Sequence, residues 1–289
     1  MKAADEAPTG ARRAAAAARP PTGARRGGKR GSARAAWVPK QHGAWAMLVV
    51  PFLVGAVHAG LAPTHLPLLI CWIVGYLCFA ATGLWLRSRR KPVYLRPMLT
   101  YGGICLAAGL VLLALQPSLL VWAPVFAPLG GISLWYSWRR DDRALGNDIV
   151  TILAASLMTL VAASAGRLGS VTTALTDPPL LGMTLAVALY FVGTSLYVKT
   201  LIRERRSRGY KHASIAYHAA ATALWLILPW LLPESLRPPA LTQGLLVAFF
   251  AVTTARAAVL AGRAIRPMKV GLGEIALSTV LTLILLLTW

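Results

Sequence analysis

Pro39-Lys40-Gln41-His42-Gly43-Ala44-Trp45 divides this chain into two unlike parts. Before it lies an Ala/Arg-rich tail with almost no large apolar residues. After it, apolar stretches of roughly 20 residues recur to the last residue, and a helix of that length crosses a hydrocarbon core. The quoted stretch therefore stands where the polypeptide enters a bilayer. It brings Lys40 and the titratable His42 to that border, then a glycine that lets backbones approach closely. The same residues also read as an interfacial polar cap with Trp45 as an aromatic anchor, and both readings stay open at this point.

The 289 residues are 57% hydrophobic and 13% charged, whereas soluble domains carry about 25% charged residues. The deficit points to an all-α, polytopic transmembrane helical bundle over residues 37–289. The formal charge of +21 is unevenly spread: residues 1–40 hold ten Lys/Arg against Asp5 and Glu6. Such a tail can attract nucleic acid or anionic lipid. On a membrane protein it reads as a disordered, basic, cytoplasmic segment, here residues 1–36, with no specific nucleic-acid partner expected. It is not a signal peptide, because Arg repeatedly interrupts the Ala runs where an apolar region would be needed. Cys71, Cys78 and Cys105 fall inside expected spans without a CxxC pair or a His/Cys cluster, and read as small apolar residues. No metal site is expected and no cofactor can be named.

Nine spans are expected, at about 44–61, 67–86, 98–115, 119–137, 147–166, 180–198, 213–232 and 240–262, with the ninth running to Trp289. The fifth carries the weakest signal. Pro51 and Gly55 should loosen the first. The loops after the even-numbered spans hold 5, 3, 6 and 3 Lys/Arg in order, while the opposite loops hold only Arg167 and Arg237. The positive-inside rule then puts the N terminus and the basic loops in the cytoplasm and Trp289 at the outer interface. For a bacterial chain the host bilayer is the cytoplasmic membrane.

Chemistry is expected at the basic end. Asp148 and Glu274 sit just inside the starts of spans 5 and 9, and Arg256 lies about two turns inside span 8, some 9 Å deep at 1.5 Å per residue. Charges at that depth are costly unless paired or hydrated, and Arg256 with Glu274 is the expected pair. A structural ion pair and a polar cavity open to the cytoplasm are both consistent with it. Lys199 and Arg203, four apart at the end of span 6, could grip a phosphate or carboxylate, or form a solvated stop-transfer face. The residues expected to meet a ligand are Lys40, His42, Arg139, Asn147, Asp148, Lys199, Arg203, Glu204, Arg256, Lys269 and Glu274. Candidates for proton handling are His42, Asp148, His218 and Glu274. No HExxH, P-loop, GxSxG or Rossmann fingerprint occurs. Gly102-Gly103, Gly130-Gly131 and Gly271-Leu272-Gly273 read as packing or hinge positions.

From Pro39 through Leu48, followed by Pro51-Phe52-Leu53-Val54-Gly55, the chain resembles the YwiC-like family of bacterial membrane proteins. The likeness continues at Trp135-Tyr136 with Arg143 to Asp148, at Tyr197 to Arg205, and from Arg266 to Glu274. It covers residues 37–289 and leaves out the tail. That family has no established biochemical activity, so the resemblance carries over no catalytic residue. The layout also resembles UbiA-type prenyltransferases, which have nine spans, a cytoplasmic N terminus and active-site loops after spans 2 and 6. Arg96-Pro97-Met98 is similar to the Arg-Pro-Leu after their first acidic motif. Those enzymes hold Mg²⁺-diphosphate with Asp-rich loops, whereas here the loop after span 2 has no acid and the loop after span 6 has only Glu204. Oxygen-ligated Mg²⁺ needs carboxylates, so the departure puts Mg²⁺-dependent prenyl transfer in doubt.

The leading expectation is a cytoplasm-facing polar cavity binding an anionic lipid or a phosphorylated small molecule, with UbiA-like lipid modification as an extension. A transporter for a small solute and a non-catalytic assembly or scaffold protein are the competing classes.

Overall fold

The computed structural model describes residues 37, 38 and 42–289. The expected tail over 1–36, Lys40 and the side chain of His42 lie outside the described residues. Ten α-helices follow in order and no strand occurs among the described residues: α1 His42–His58, α2 His65–Arg87, α3 Leu95–Leu115, α4 Ala123–Trp138, α5 Leu145–Ser164, α6 Val171–Thr176, α7 Pro178–Ile202, α8 Arg208–Leu231, α9 Ala240–Leu260 and α10 Pro267–Thr288. Eight segments are long and apolar enough to cross a membrane, α4 together with the 3-10 turn Pro117–Trp122 that leads into it. The chain is a multi-pass, all-helical membrane protein.

The first expected span, α1, is apolar but has only 17 residues. It stops before the expected boundary because the chain turns sharply at Gly60, φ +77°. The carbonyls of Ala59 and Gly60 accept hydrogen bonds from the backbone N–H groups of Leu168 and Arg167, which ties this turn to the connector after α5. That connector is not simply polar coil. Ser170 caps the N–H of Thr173 and starts the short α6.

The span expected to carry the weakest signal, α5, is apolar enough to cross a membrane, and the least hydrophobic of the eight is α8 instead; α5 lies at the centre of the bundle. α5 buries eleven of its twenty residues, Ser156, Thr159 and Ser164 among them. It packs on α1, α4 and α7. Its hydroxyls fold back onto carbonyls of their own helix, Ser156 on Ile152 and Ser164 on Leu160, each at 2.8 Å. A helix surrounded by protein needs small complementary side chains more than lipid-soluble ones. The peripheral α3 shows the converse: it buries only Pro97 and Leu112 and presents Leu99, Leu106 and Leu110 outward.

Close approach occurs at glycines other than the expected pairs. A Cβ on Gly55 would sit 2.0 Å from the Thr159 carbonyl oxygen, so α1 meets α5 backbone to backbone. Gly103, Gly130, Gly131, Gly271 and Gly273 have nothing within 4 Å of a built Cβ, and are not packing positions within this chain. Gly102 faces Cys78, Gly75 faces Cys105 and Gly109 faces Cys71. The three cysteines thus act as small knobs between α2 and α3, with the thiols of Cys71 and Cys105 3.6 Å apart.

Two helix boundaries near the basic end differ from expectation. Ser207 accepts from the N–H of Tyr210 and begins α8 at Arg208, so the segment between α7 and α8 is only 203–207. His218 then lies ten residues into its helix, about 15 Å at 1.5 Å per residue, deeper than a span starting at about 213 would place it. Conversely, α9 ends at Leu260. Arg256 is therefore about one turn, roughly 6 Å, from the helix end rather than two.

Candidate functional site

The Lys/Arg-rich end of the bundle holds two charged centres set between helices. In the first, Arg256 of α9 and Glu274 of α10 form the expected pair, Nη1 to Oε1 at 2.5 Å, with side-chain exposures of 13% and 10%. The second carboxylate oxygen accepts from the hydroxyls of Thr194 at 2.8 Å and Tyr190 at 3.0 Å, both on α7. Tyr190 also donates to the Glu274 carbonyl at 3.1 Å. The Arg256 guanidinium lies over the Tyr197 ring, 4.0 Å from its centroid, a cation–π contact. Tyr197, Leu201, Ala257 and Val270 wall the pair with a small apolar cluster.

One edge of the guanidinium is left over. Nε and Nη2 of Arg256 are buried and have no hydrogen-bond partner among the described residues. These two N–H groups form the side of the fork that takes a carboxylate or phosphate in two parallel bonds. Buried donors are almost always paired, so an orphan pair on a charged group needs an account.

In the second centre Lys199 of α7 lies against Asp148 of α5 at 2.9 Å. Lys199 also donates to the Arg143 carbonyl at 2.6 Å, and Ser195 donates to the same Asp148 oxygen at 2.8 Å. Next to it the buried Asn147 accepts from Ser133 at 2.6 Å and donates to the Asp142 carbonyl at 2.8 Å. Arg87 pairs with Asp142 at 2.6 Å. The α4–α5 connection is thereby tied to α2 and α7 by charge-assisted bonds.

The expected site residues divide accordingly. Asp148, Asn147, Lys199, Arg256 and Glu274 gather at the two centres. Lys199 and Arg203 do not make a shared cationic face: the ammonium of Lys199 is buried against Asp148, while Arg203 is exposed past the last turn of α7. Arg139 stacks on Trp135 at 4.9 Å and is exposed. Lys269 is exposed and Glu204 half-buried, and neither forms an ion pair with a described residue. His218 is 3% exposed, with Nδ1 2.7 Å from the Ser214 carbonyl. Its ring packs on Gly193, where a Cβ would sit 2.9 Å from Nε2. His42 and Lys40 cannot be placed among these groups, their side chains lying outside the described residues.

Sequence reasoning missed the neutral half of the Glu274 site. Tyr190, Thr194 and Tyr197 read as ordinary span residues, and only their spacing of four and three along one helix face hints at a shared target. It also missed His58, whose Nε2 lies 2.5 Å from Asp177 at the opposite end of the bundle.

Residues 38–163 match the family model described as YwiC-like protein. A Bacillus subtilis (strain 168) protein named Uncharacterized protein YwiC is 34% identical over 210 residues, covering 70% of this chain and 84% of the relative. A Haemophilus influenzae protein named Uncharacterized protein is 25% identical over 251 residues, covering 86% of this chain and 97% of the relative. No solved structure matches, so the likeness of layout to UbiA-type enzymes gains no support from a shared fold. On the length and identity of the match to the Bacillus subtilis protein, the chain belongs to the YwiC-like family.

Proposed function

We propose that this protein binds an oxyanion-bearing ligand, an anionic lipid or a phosphorylated small molecule, at Arg256 near the cytoplasmic end of the bundle. The observation that carries the proposal is the unpartnered Nε/Nη2 edge of Arg256. The other faces of this guanidinium are fixed, by Glu274 at Nη1 and by the Tyr197 ring. It is therefore oriented before any ligand arrives, which lowers the cost of binding. Glu274 balances the charge of Arg256, so affinity here would come from two directed hydrogen bonds rather than from net charge. Lys199 and Arg203 no longer contribute to the grip. Lys199 serves to hold α5 to α7, and Arg203 lies on the surface.

The setting proposed is the bacterial cytoplasmic membrane, with the N terminus and the basic loops inside as the Lys/Arg asymmetry requires. Residues 37–289 act as one membrane domain, and the tail over 1–36 as a cytoplasmic appendage. Prenyl transfer of the UbiA kind is left out of this proposal, because the segment after α2 has no carboxylate and that after α7 has only Glu204.

Transport of a small solute is the second reading. It is favoured by the pairing of membrane-embedded charges across helices, Lys199 with Asp148 and Arg256 with Glu274, and by Pro51, Pro128 and Pro229 inside helices.

The test is native mass spectrometry of protein taken from its own membrane into mild detergent, wild type against Arg256→Lys. Lysine keeps a cation opposite Glu274 but has no second edge. A discrete bound mass on the wild type, absent from Arg256→Lys, is expected. The same masses on both proteins would count against binding at Arg256, and solute counterflow in proteoliposomes would then separate transport from scaffolding.

A further inference from the structure

We propose a second binding site, separate from Arg256, in which Arg89, Arg90 and Arg140 hold a phosphate-bearing anion at headgroup depth between the ends of α2 and α4. Leu86, Arg89, Arg90, Trp138 and Arg140 line a cavity of about 320 Å³ there. A water takes about 30 Å³ of liquid, so the space admits a group of several heavy atoms such as a phosphate with its glycerol ester.

Three observations converge on this cavity. The first is charge. None of its three arginines forms an ion pair with a described residue, although Arg87 beside them is matched by Asp142. Like charges gathered on one cavity repel, and an anion between them removes that repulsion.

The second is backbone conformation. Arg89, Arg90 and Arg140 have φ of 61°, 61° and 62°, and are the non-glycine residues with positive φ among those described. Helix capping accounts for two of them. The N–H of Arg90 reaches the Trp85 carbonyl and that of Asp141 reaches the Tyr136 carbonyl, which places Arg89 and Arg140 at the left-handed position closing each helix. Glycine is the usual occupant of that position. Capping does not require Arg90 to be left-handed as well. A guanidinium thus stands at each of three backbone positions suited to glycine, and all three line one cavity. The partial negative charge of a helix end favours a cation, but that accounts for one arginine per helix and not for a third.

The third is position. Arg90 lies over the Trp85 ring at 5.5 Å, which leaves its N–H groups to point elsewhere. Trp138, 63% exposed, offers an apolar flank. Exposed tryptophan beside arginine at the end of a membrane helix is what the headgroup layer accommodates. The recognised chemistry is phosphate, supplied either by an anionic phospholipid or by a free phosphorylated molecule.

The test uses the full chain in nanodiscs and the triple variant Arg89→Gly/Arg90→Gly/Arg140→Gly. Glycine removes the charge and suits the backbone at each position, and thermal unfolding confirms that the variant is folded. Should the triple variant fail to fold, Arg90→Gly and Arg140→Gly singly take its place. A control variant, Arg205→Ala/Arg206→Ala/Arg208→Ala, removes the same charge from the same side of the bundle but outside the cavity. Phosphatidylcholine nanodiscs doped with phosphatidylglycerol test the lipid source by native mass spectrometry of the lipid retained. Inorganic phosphate titrated into phosphatidylcholine-only nanodiscs tests the free source by the shift in unfolding temperature.

Retention of phosphatidylglycerol about ten-fold weaker in the triple variant, but unchanged in the control, supports a lipid site; ten-fold is the scale of one lost charge-assisted contact. A phosphate-induced shift lost in the triple variant and kept in the control supports the same site with a free ligand. Equal behaviour of wild type and triple variant towards both probes overturns the proposal. Equal losses in the triple and control variants also overturn it, since bulk charge would then be the cause.

Discussion

Replacing Glu274 by Met should destabilise the protein more than replacing Glu274 and Arg256 together by Met. Glu274→Met leaves the Arg256 guanidinium charged, buried and without its carboxylate. Breaking one side of a buried pair costs about 3–5 kcal/mol, and the residual exposures of 13% and 10% favour the lower figure. Thr194 also loses its acceptor, a term of about 0.6 kcal/mol in membrane helices. Tyr190 retains the Glu274 carbonyl at 3.1 Å and loses little. The total is about 3–4 kcal/mol. Arg256→Met should cost less, about 2 kcal/mol, because Thr194 and Tyr190 still donate to the carboxylate. The double variant buries no charge and should lose only about 2 kcal/mol, so the coupling is about 3 kcal/mol. The assay is equilibrium unfolding in mixed micelles followed by tryptophan fluorescence. A double variant that loses the sum of the singles, within about 0.5 kcal/mol, would refute a coupled buried pair.

Gly55→Ala should cost about 3 kcal/mol or more in the same assay, since a Cβ there meets the Thr159 backbone oxygen at 2.0 Å and neither helix can yield locally. Gly131→Ala, with nothing within 4 Å, should be neutral or stabilising by up to about 1 kcal/mol. Arg140→Gly should raise the unfolding temperature, since it relieves a left-handed residue worth about 1 kcal/mol. Reporter fusions at 203–207 should read as cytoplasmic and fusions after Trp289 as external, and the opposite pattern would invert the proposed orientation.

The sequence makes the helical architecture legible because lipid imposes one rule on every span: about 20 apolar residues with their backbone satisfied internally. That rule does not say where protein replaces lipid. α5 and α7 meet it and are nonetheless the most enclosed spans, the small and hydroxyl-bearing residues of α5 being suited to neighbouring helices. Residue spacing also misjudges helix starts set by a single cap. Ser207 begins α8 early enough to take His218 well below its expected depth. Of the candidate site, Arg256 and Glu274 could be paired from sequence because each is an ionisable residue set within an apolar run. Tyr190, Thr194 and Tyr197 could not, because hydroxyl-bearing residues are common in spans and only the fold aims them at one carboxylate. Lys199 and Arg203 show the opposite error. Four residues apart, they suggest one cationic face, but Asp148 takes the first and the end of α7 leaves the second outside.

The most direct test of the Arg256 proposal is an experimental structure of the protein in nanodiscs formed from its native lipids, refined around that guanidinium. The account predicts non-protein density with two oxygen atoms about 2.7–2.9 Å from Nε and Nη2, the distances of charge-assisted bonds. A protein side chain or a lone water occupying both donors would contradict it, and would make Arg256 a structural residue only.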